Sequence, residues 1–110
     1  MAKYAIFFAY NADTWANMIK NPSDRAAAVR ALVEPMGGNL EALYFMFGEW
    51  DGFAIVETTD SETAAAASIT VASTGAFKAL QTHELIDAAD MSGVLAKAGS
   101  ALPGYRPPGS

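Results

Sequence analysis

The chain has 110 residues, 52% of them hydrophobic and 17% charged, with a formal net charge of −5. That composition fits one domain able to build its own core and excludes a disordered tail. The lack of cysteine excludes a disulfide framework, a thiolate zinc site and cysteine catalysis, and a single histidine excludes a multi-histidine metal centre within one chain.

The acidic balance argues against nucleic acid or an anionic membrane as a partner, and no apolar run approaches the roughly 18 residues of a membrane span. Met1-Ala2-Lys3-Tyr4 leads directly into a strand pattern, so a cytoplasmic domain without a signal peptide is expected. Lys3 to Tyr10 is short and aromatic-rich and reads as a strand buried on both faces. Asn11-Ala12-Asp13-Thr14 supplies side-chain oxygens for a helix cap, and Trp15, Met18 and Ile19 follow at helical spacing. Asn21-Pro22-Ser23-Asp24 predicts the start of a second helical arm running from about Pro22 to Met36, with Asn21 as cap. Val29, Leu32, Val33 and Met36 form its apolar stripe, Arg25 and Arg30 are assigned to the solvated side, and Gly37-Gly38 ends it.

Leu40 to Phe47 and Phe53 to Thr58 read as the second and third strands, joined by the hairpin Gly48-Glu49-Trp50-Asp51-Gly52. Thr59 and Glu62 have capping-box spacing ahead of Ala64-Ala65-Ala66-Ala67, which opens a helix ending near Ser73-Thr74-Gly75. Phe77 to Ile86 is a fourth strand suited to a sheet edge, and Asp87 caps a short final helix bearing Met91, Val94, Leu95 and Ala98. Residues 1–100 thus read as one domain and 101–110 as an extended Pro/Gly-rich tail, beginning after Gly99.

This order, β-α-β-β-α-β plus a helix, predicts an α+β, ferredoxin-like fold with a four-stranded antiparallel sheet whose first and third strands are central. On the first strand Tyr4, Ile6, Phe8 and Tyr10 share one face and Ala5, Phe7 and Ala9 the other, and neither is polar. A lone sheet would leave one apolar face bare, so a homodimer or larger homo-oligomer is expected.

Arg25 to Leu32, the Gly37-Gly38 turn and above all Phe47-Gly48-Glu49-Trp50-Asp51-Gly52-Phe53-Ala54-Ile55-Val56-Glu57 resemble the GYD-domain family, over roughly the first 90 residues. The Tyr105-Arg106-Pro107-Pro108 tail is similar to that of longer members. The resemblance implies a dimeric α+β barrel and no particular activity. Trp50 stands where the family commonly has Tyr, so a ring is kept and a phenolic hydroxyl lost.

The expected topology gathers Tyr10, Asn11, Asp13, Thr14 and Trp15 with Glu49, Trp50, Asp51, Ser73 and Thr74 at one end of the sheet. That is the anatomy of a ligand mouth, with aromatic walls and a few polar groups, and equally of ordinary turn and cap chemistry. Asp13, Glu49 and Asp51 match no cation-binding loop, so no metal and no cofactor is assigned.

His83 is the natural general acid or base, on a fourth-strand face shared with Phe77, Ala79, Gln81 and Leu85, and with Glu57 and Glu41 on neighbouring strands. The alternative is a solvated strand-end histidine or one at a subunit contact. The leading reading is a homo-oligomer binding a small, largely apolar molecule between helices and sheet. A cofactor-independent isomerase, decarboxylase or oxygenase using His83, and a structural assembly module, are the alternatives.

Overall fold

The computed structural model describes residues 1–110. Its elements are β1 (Ala2–Tyr10), α1 (Ala12–Lys20), α2 (Arg25–Val33), β2 (Asn39–Phe45), β3 (Gly52–Thr58), α3 (Ser61–Ala72), β4 (Phe77–Glu84) and α4 (Met91–Ala101), with 3-10 turns at Glu34–Met36, Ala88–Asp90 and Leu102–Gly104. The four strands form one antiparallel sheet in the order β2-β3-β1-β4, with β1 and β3 central and β4 at an edge, as expected for the ferredoxin-like plan. No helix is long and apolar enough to cross a membrane.

Side-chain caps start α1, α2 and α3, and three helix starts differ from the sequence expectation. The last of these is α4, which Asp87 does not cap: the helix follows the 3-10 turn Ala88–Asp90 with no side-chain cap bond. Asn11 caps α1 by accepting from Thr14 N at 2.9 Å. Asn21 does not start α2: its own N–H donates to Asn17 O at 2.8 Å and closes α1, so it belongs to the preceding helix. The start passes to Asp24, whose Oδ1 accepts from Ala27 N at 3.1 Å, leaving Pro22-Ser23 as a link. Asp60, and not Thr59, caps α3 by accepting from Thr63 N at 2.8 Å. That charged hydrogen bond holds the Asp60 carboxyl below its ordinary pKa.

Helices α2 and α3 lie on one side of the sheet, α2 over β2 and α3 over β3 and β4. Ala64 and Ala67 are buried, and the missing side-chain bulk lets α3 sit close to the strands. The core under the helices is Val33, Leu40, Ala54, Val56 and Ala67, with Ile6, Val29, Leu32 and Leu43 packed around it. The opposite face of the sheet carries no helix.

The C-terminal segment departs from the expected tail. Helix α4 continues through Gly99 to Ala101, and a further turn follows over Leu102–Gly104 before the backbone becomes extended at Tyr105. Inside α4 the glycine i→i−4 bonds are still made, so it acts as a weak helix former there and not as a stop. No residue of α4 is buried, and the helix packs chiefly on the short turns at its own ends. The chain spans 59 × 34 × 23 Å with a radius of gyration of 17.7 Å, against about 13 Å for a compact domain of this length. Val94, Leu95, Leu102 and Tyr105 stand exposed along this arm.

Candidate functional site

β-Strand alternation sorts the side chains of the sheet onto two faces, and the strand register shows which. Ile6 pairs with Ala54 and Thr82, and Phe8 with Gly52 and Leu80, on the helix-covered face. Phe7 pairs with Phe53 and Gln81, and Ala5 with Ile55 and His83, on the open face. A register shift at Ala9/Tyr10 pairs Tyr10 with Phe77. This moves Phe77 off the face of Ala79, Gln81 and His83, correcting the expectation that all four share one side: Phe77 lies under the helices, its ring centroid 4.9 Å from that of Tyr10.

Because α2 covers β2 while α3 covers β3 and β4, the centre of the sheet over β1 is left without close cover. There a cavity of about 520 Å³ opens between sheet and helices, within the range of small-molecule sites. Ile6, Phe8, Tyr10, Phe77 and Leu80 form its floor, and Val29, Leu32 and Val71 come from the helices above. The exposed polar residues Asn17, Asn21, Ser23 and Thr74 mark where it meets solvent.

Arg25 is the one charged residue of its lining. This corrects the assignment of Arg25 to the solvated side of α2, and the signal was in the spacing. Arg25 stands four residues before Val29 and seven before Leu32, on the same helical stripe. Burial pushes the Tyr10 phenol up in pKa; the neighbouring Arg25 guanidinium opposes this and Asp51 adds to it.

The residues expected at the end of the sheet do meet there, and their polar atoms knit the loops together. Asp51 Oδ2 accepts from Tyr10 N at 2.8 Å and from Trp15 Nε1 at 3.2 Å, while Asp51 N donates to Phe8 O at 2.9 Å. Asn11 Nδ2 donates to Gly75 O at 2.6 Å, and the Thr14 hydroxyl donates to Ala76 O at 2.8 Å. One cluster thereby fastens the β1–α1 turn to the hairpin and to the α3–β4 loop. Of this group Tyr10, Thr14 and Thr74 line the cavity; Asn11, Trp15, Glu49, Trp50 and Asp51 do not. Asp13, Glu49 and Asp51 form no metal-holding cluster.

His83 and Gln81 lie on the open face, away from the cavity. His83 Nε2–H donates to Gln81 Oε1 at 3.0 Å, and the ring meets the Phe7 edge with centroids 6.0 Å apart. Glu41, one carboxylate considered for this histidine, pairs instead with Lys3 Nζ at 3.3 Å. Around them Phe7 stacks on Phe53 at 5.6 Å, Trp50 meets the Phe7 edge at 6.1 Å, and Tyr44 packs on Phe53 at 5.7 Å. The result is a band of packed rings on the open face.

A family model described as the GYD domain matches residues 4–95. No curated protein matches the chain. Among solved structures, the chain is similar to FFRP-DM1, with 18% identity and a TM-score of 0.53 over 78% of this chain and all of the other. It is also similar to MtbAldR, with 16% identity and a TM-score of 0.53 over 77% of this chain, which spans about half (51%) of that protein. At these identities the likeness is one of fold.

Proposed function

Since the chain belongs to the GYD-domain family, we propose that it is a homo-oligomeric binding module that holds a small, largely apolar molecule between its helices and its sheet. The observation that carries this reading is the cavity of about 520 Å³ over β1, walled by aliphatic and aromatic side chains with a few polar groups at its opening. Void of that size in a chain this short forfeits dispersion contacts along its lining, which a bound apolar molecule restores.

Self-association is supported by the other side of the sheet. Only 13 of 110 residues are buried in the single chain, and in the band of Phe7, Phe53, Trp50 and Tyr44 the last is exposed and the other three are half-buried. A second copy laid sheet to sheet would bury it. Catalysis by His83 draws no support from the cavity, which lies across the sheet from the ring.

Native mass spectrometry on gently purified protein tests both parts. The expected spectrum shows a dimer or larger oligomer carrying an extra small mass. The neutral dye Nile red, titrated into the protein, is expected to bind saturably, and Val71→Phe, which puts a ring into the void, to abolish that binding without lowering the melting temperature. Unsaturable dye binding indifferent to Val71→Phe overturns the cavity reading, and a monomer at micromolar concentration overturns the assembly.

A further inference from the structure

The cavity reading leaves open what the bound molecule carries besides hydrocarbon, and Arg25 bears on that. Arg25 is the first residue of α2, is partly buried, and lines an otherwise uncharged cavity. Its Nη1 donates to Ser23 Oγ at 3.3 Å, and no carboxylate stands within ion-pair distance, the chain's ion pair being Lys3–Glu41 on the opposite face. A guanidinium presents five N–H donors, so most of its hydrogen-bonding capacity is free. Asp24, its neighbour in the chain, and Asp51, which lies beside Tyr10, are committed elsewhere. Asp24 accepts from Ala27 N as the α2 cap, and Asp51 accepts from Tyr10 N and Trp15 Nε1.

Tyr10 lines the same cavity from β1, buried against Phe77 and Phe8. Its ring belongs to the apolar floor, and the Arg25 guanidinium opposes the rise that burial imposes on its phenol pKa. A cation and a phenol on one apolar wall make a donor pair with no acceptor of matching charge. A cation facing apolar surface is costly unless a counter-ion accompanies it. Guanidinium geometry matches a carboxylate, which it can grip through two parallel N–H···O bonds.

Resting on the cavity reading, we propose that the ligand is an apolar carboxylic acid, its carboxylate held by Arg25 and Tyr10 and its hydrocarbon lying along Ile6, Phe8, Val29 and Leu32. The protein's net charge of −5 gives an anion no long-range attraction, so selectivity for the acid depends on this local pair.

The test titrates the full chain with decanoate and with decanol, reading displacement of Nile red. The expected result is decanoate binding about ten- to a hundredfold tighter than decanol, the range of a charge-assisted hydrogen bond at a shielded site. Arg25→Met, which keeps an apolar side chain of similar length on the stripe, is expected to bring decanoate down to the level of decanol, with decanol itself changed by a far smaller factor. Arg25→Lys is expected to restore part of the preference, and Tyr10→Phe to reduce it by a smaller factor, about three- to tenfold.

Equal affinities for acid and alcohol in the unaltered protein overturn the carboxylate assignment and leave the cavity reading standing. A preference that survives Arg25→Met also overturns it, by assigning the acid to another cation. Binding of neither compound, with no saturable dye binding, overturns the cavity reading and this inference with it.

Discussion

The two faces of the sheet are built from the same strands by the same alternation, yet they differ in what they leave unfilled. On the covered face the strands present Ile6, Phe8, Tyr10, Phe77 and Leu80, bulky side chains under two helices that rest on β2, β3 and β4, and a void remains over β1. On the open face Ala5, Ala9, Ala42 and Ala79 alternate with a few large rings, giving a surface low enough for another sheet to approach. One face leaves a void under its helices and the other has no helix over it. The open face still contributes the buried Ala5 and Ala9 to the core, although no helix lies over it.

Each half of that contrast can be broken separately. The largest effect is expected at Gly52, on the covered face. An added Cβ there would lie 2.5 Å from Phe8 Cζ and 2.5 Å from the Tyr44 carbonyl oxygen, so Gly52→Val should cost about 3 kcal/mol or more of stability. A fall in the urea midpoint checks it, and a near-normal midpoint would show that the covered face is looser than its contacts imply. Next comes Phe7→Glu on the open face, which places a charge in the aromatic band. The mass by light scattering should drop to that of a monomer, a loss of association of about a hundredfold or about 2.7 kcal/mol, while circular dichroism and dye binding persist. Loss of both together would mean that the faces are not independent.

A smaller effect is expected in alkali. Burial raises the Tyr10 pKa, and burial together with the hydrogen bond to Glu84 raises that of Tyr4. The folded state therefore keeps these protons to higher pH than the unfolded chain, whose tyrosines titrate near pH 10. Their contribution is complete below about pH 10 and is lost as the pH climbs through the folded values. Urea midpoints measured from pH 8 to pH 11.5 should fall above pH 10, and less steeply in Tyr10→Phe. The smallest effect is expected at His83. His83→Ala removes an exposed side chain and one bond to Gln81, so stability should change by no more than about 0.5 kcal/mol and decanoate binding not at all.

Much of the architecture was legible because the strands are aromatic or β-branched runs bounded by glycine and cap residues, and because topology rules leave few ways to pair four such strands. What escaped the sequence were matters of phase. Asn21 and Asp24 are both good caps, and which one starts α2 depends on whether Asn21 already closes α1. The position of Phe77 depends on one irregular residue step opposite Ala9/Tyr10, invisible in either strand alone. The polar residues at the sheet end were found as a cluster, since turns must gather there, but turn residues and ligand residues have the same chemistry and only geometry separates them. Arg25 was passed over because charge suggested solvent, although its spacing placed it on the inward stripe.

The arm formed by α4 has a thermodynamic consequence. An isolated helix of 11 residues is marginal in water, and Gly93 and Gly99 each weaken it by about 1 kcal/mol relative to alanine. With no buried residue of its own, α4 draws little stability from the rest of the chain. Its amide hydrogens should therefore exchange far faster than those of the central strands β1 and β3, which stay protected until the whole chain unfolds.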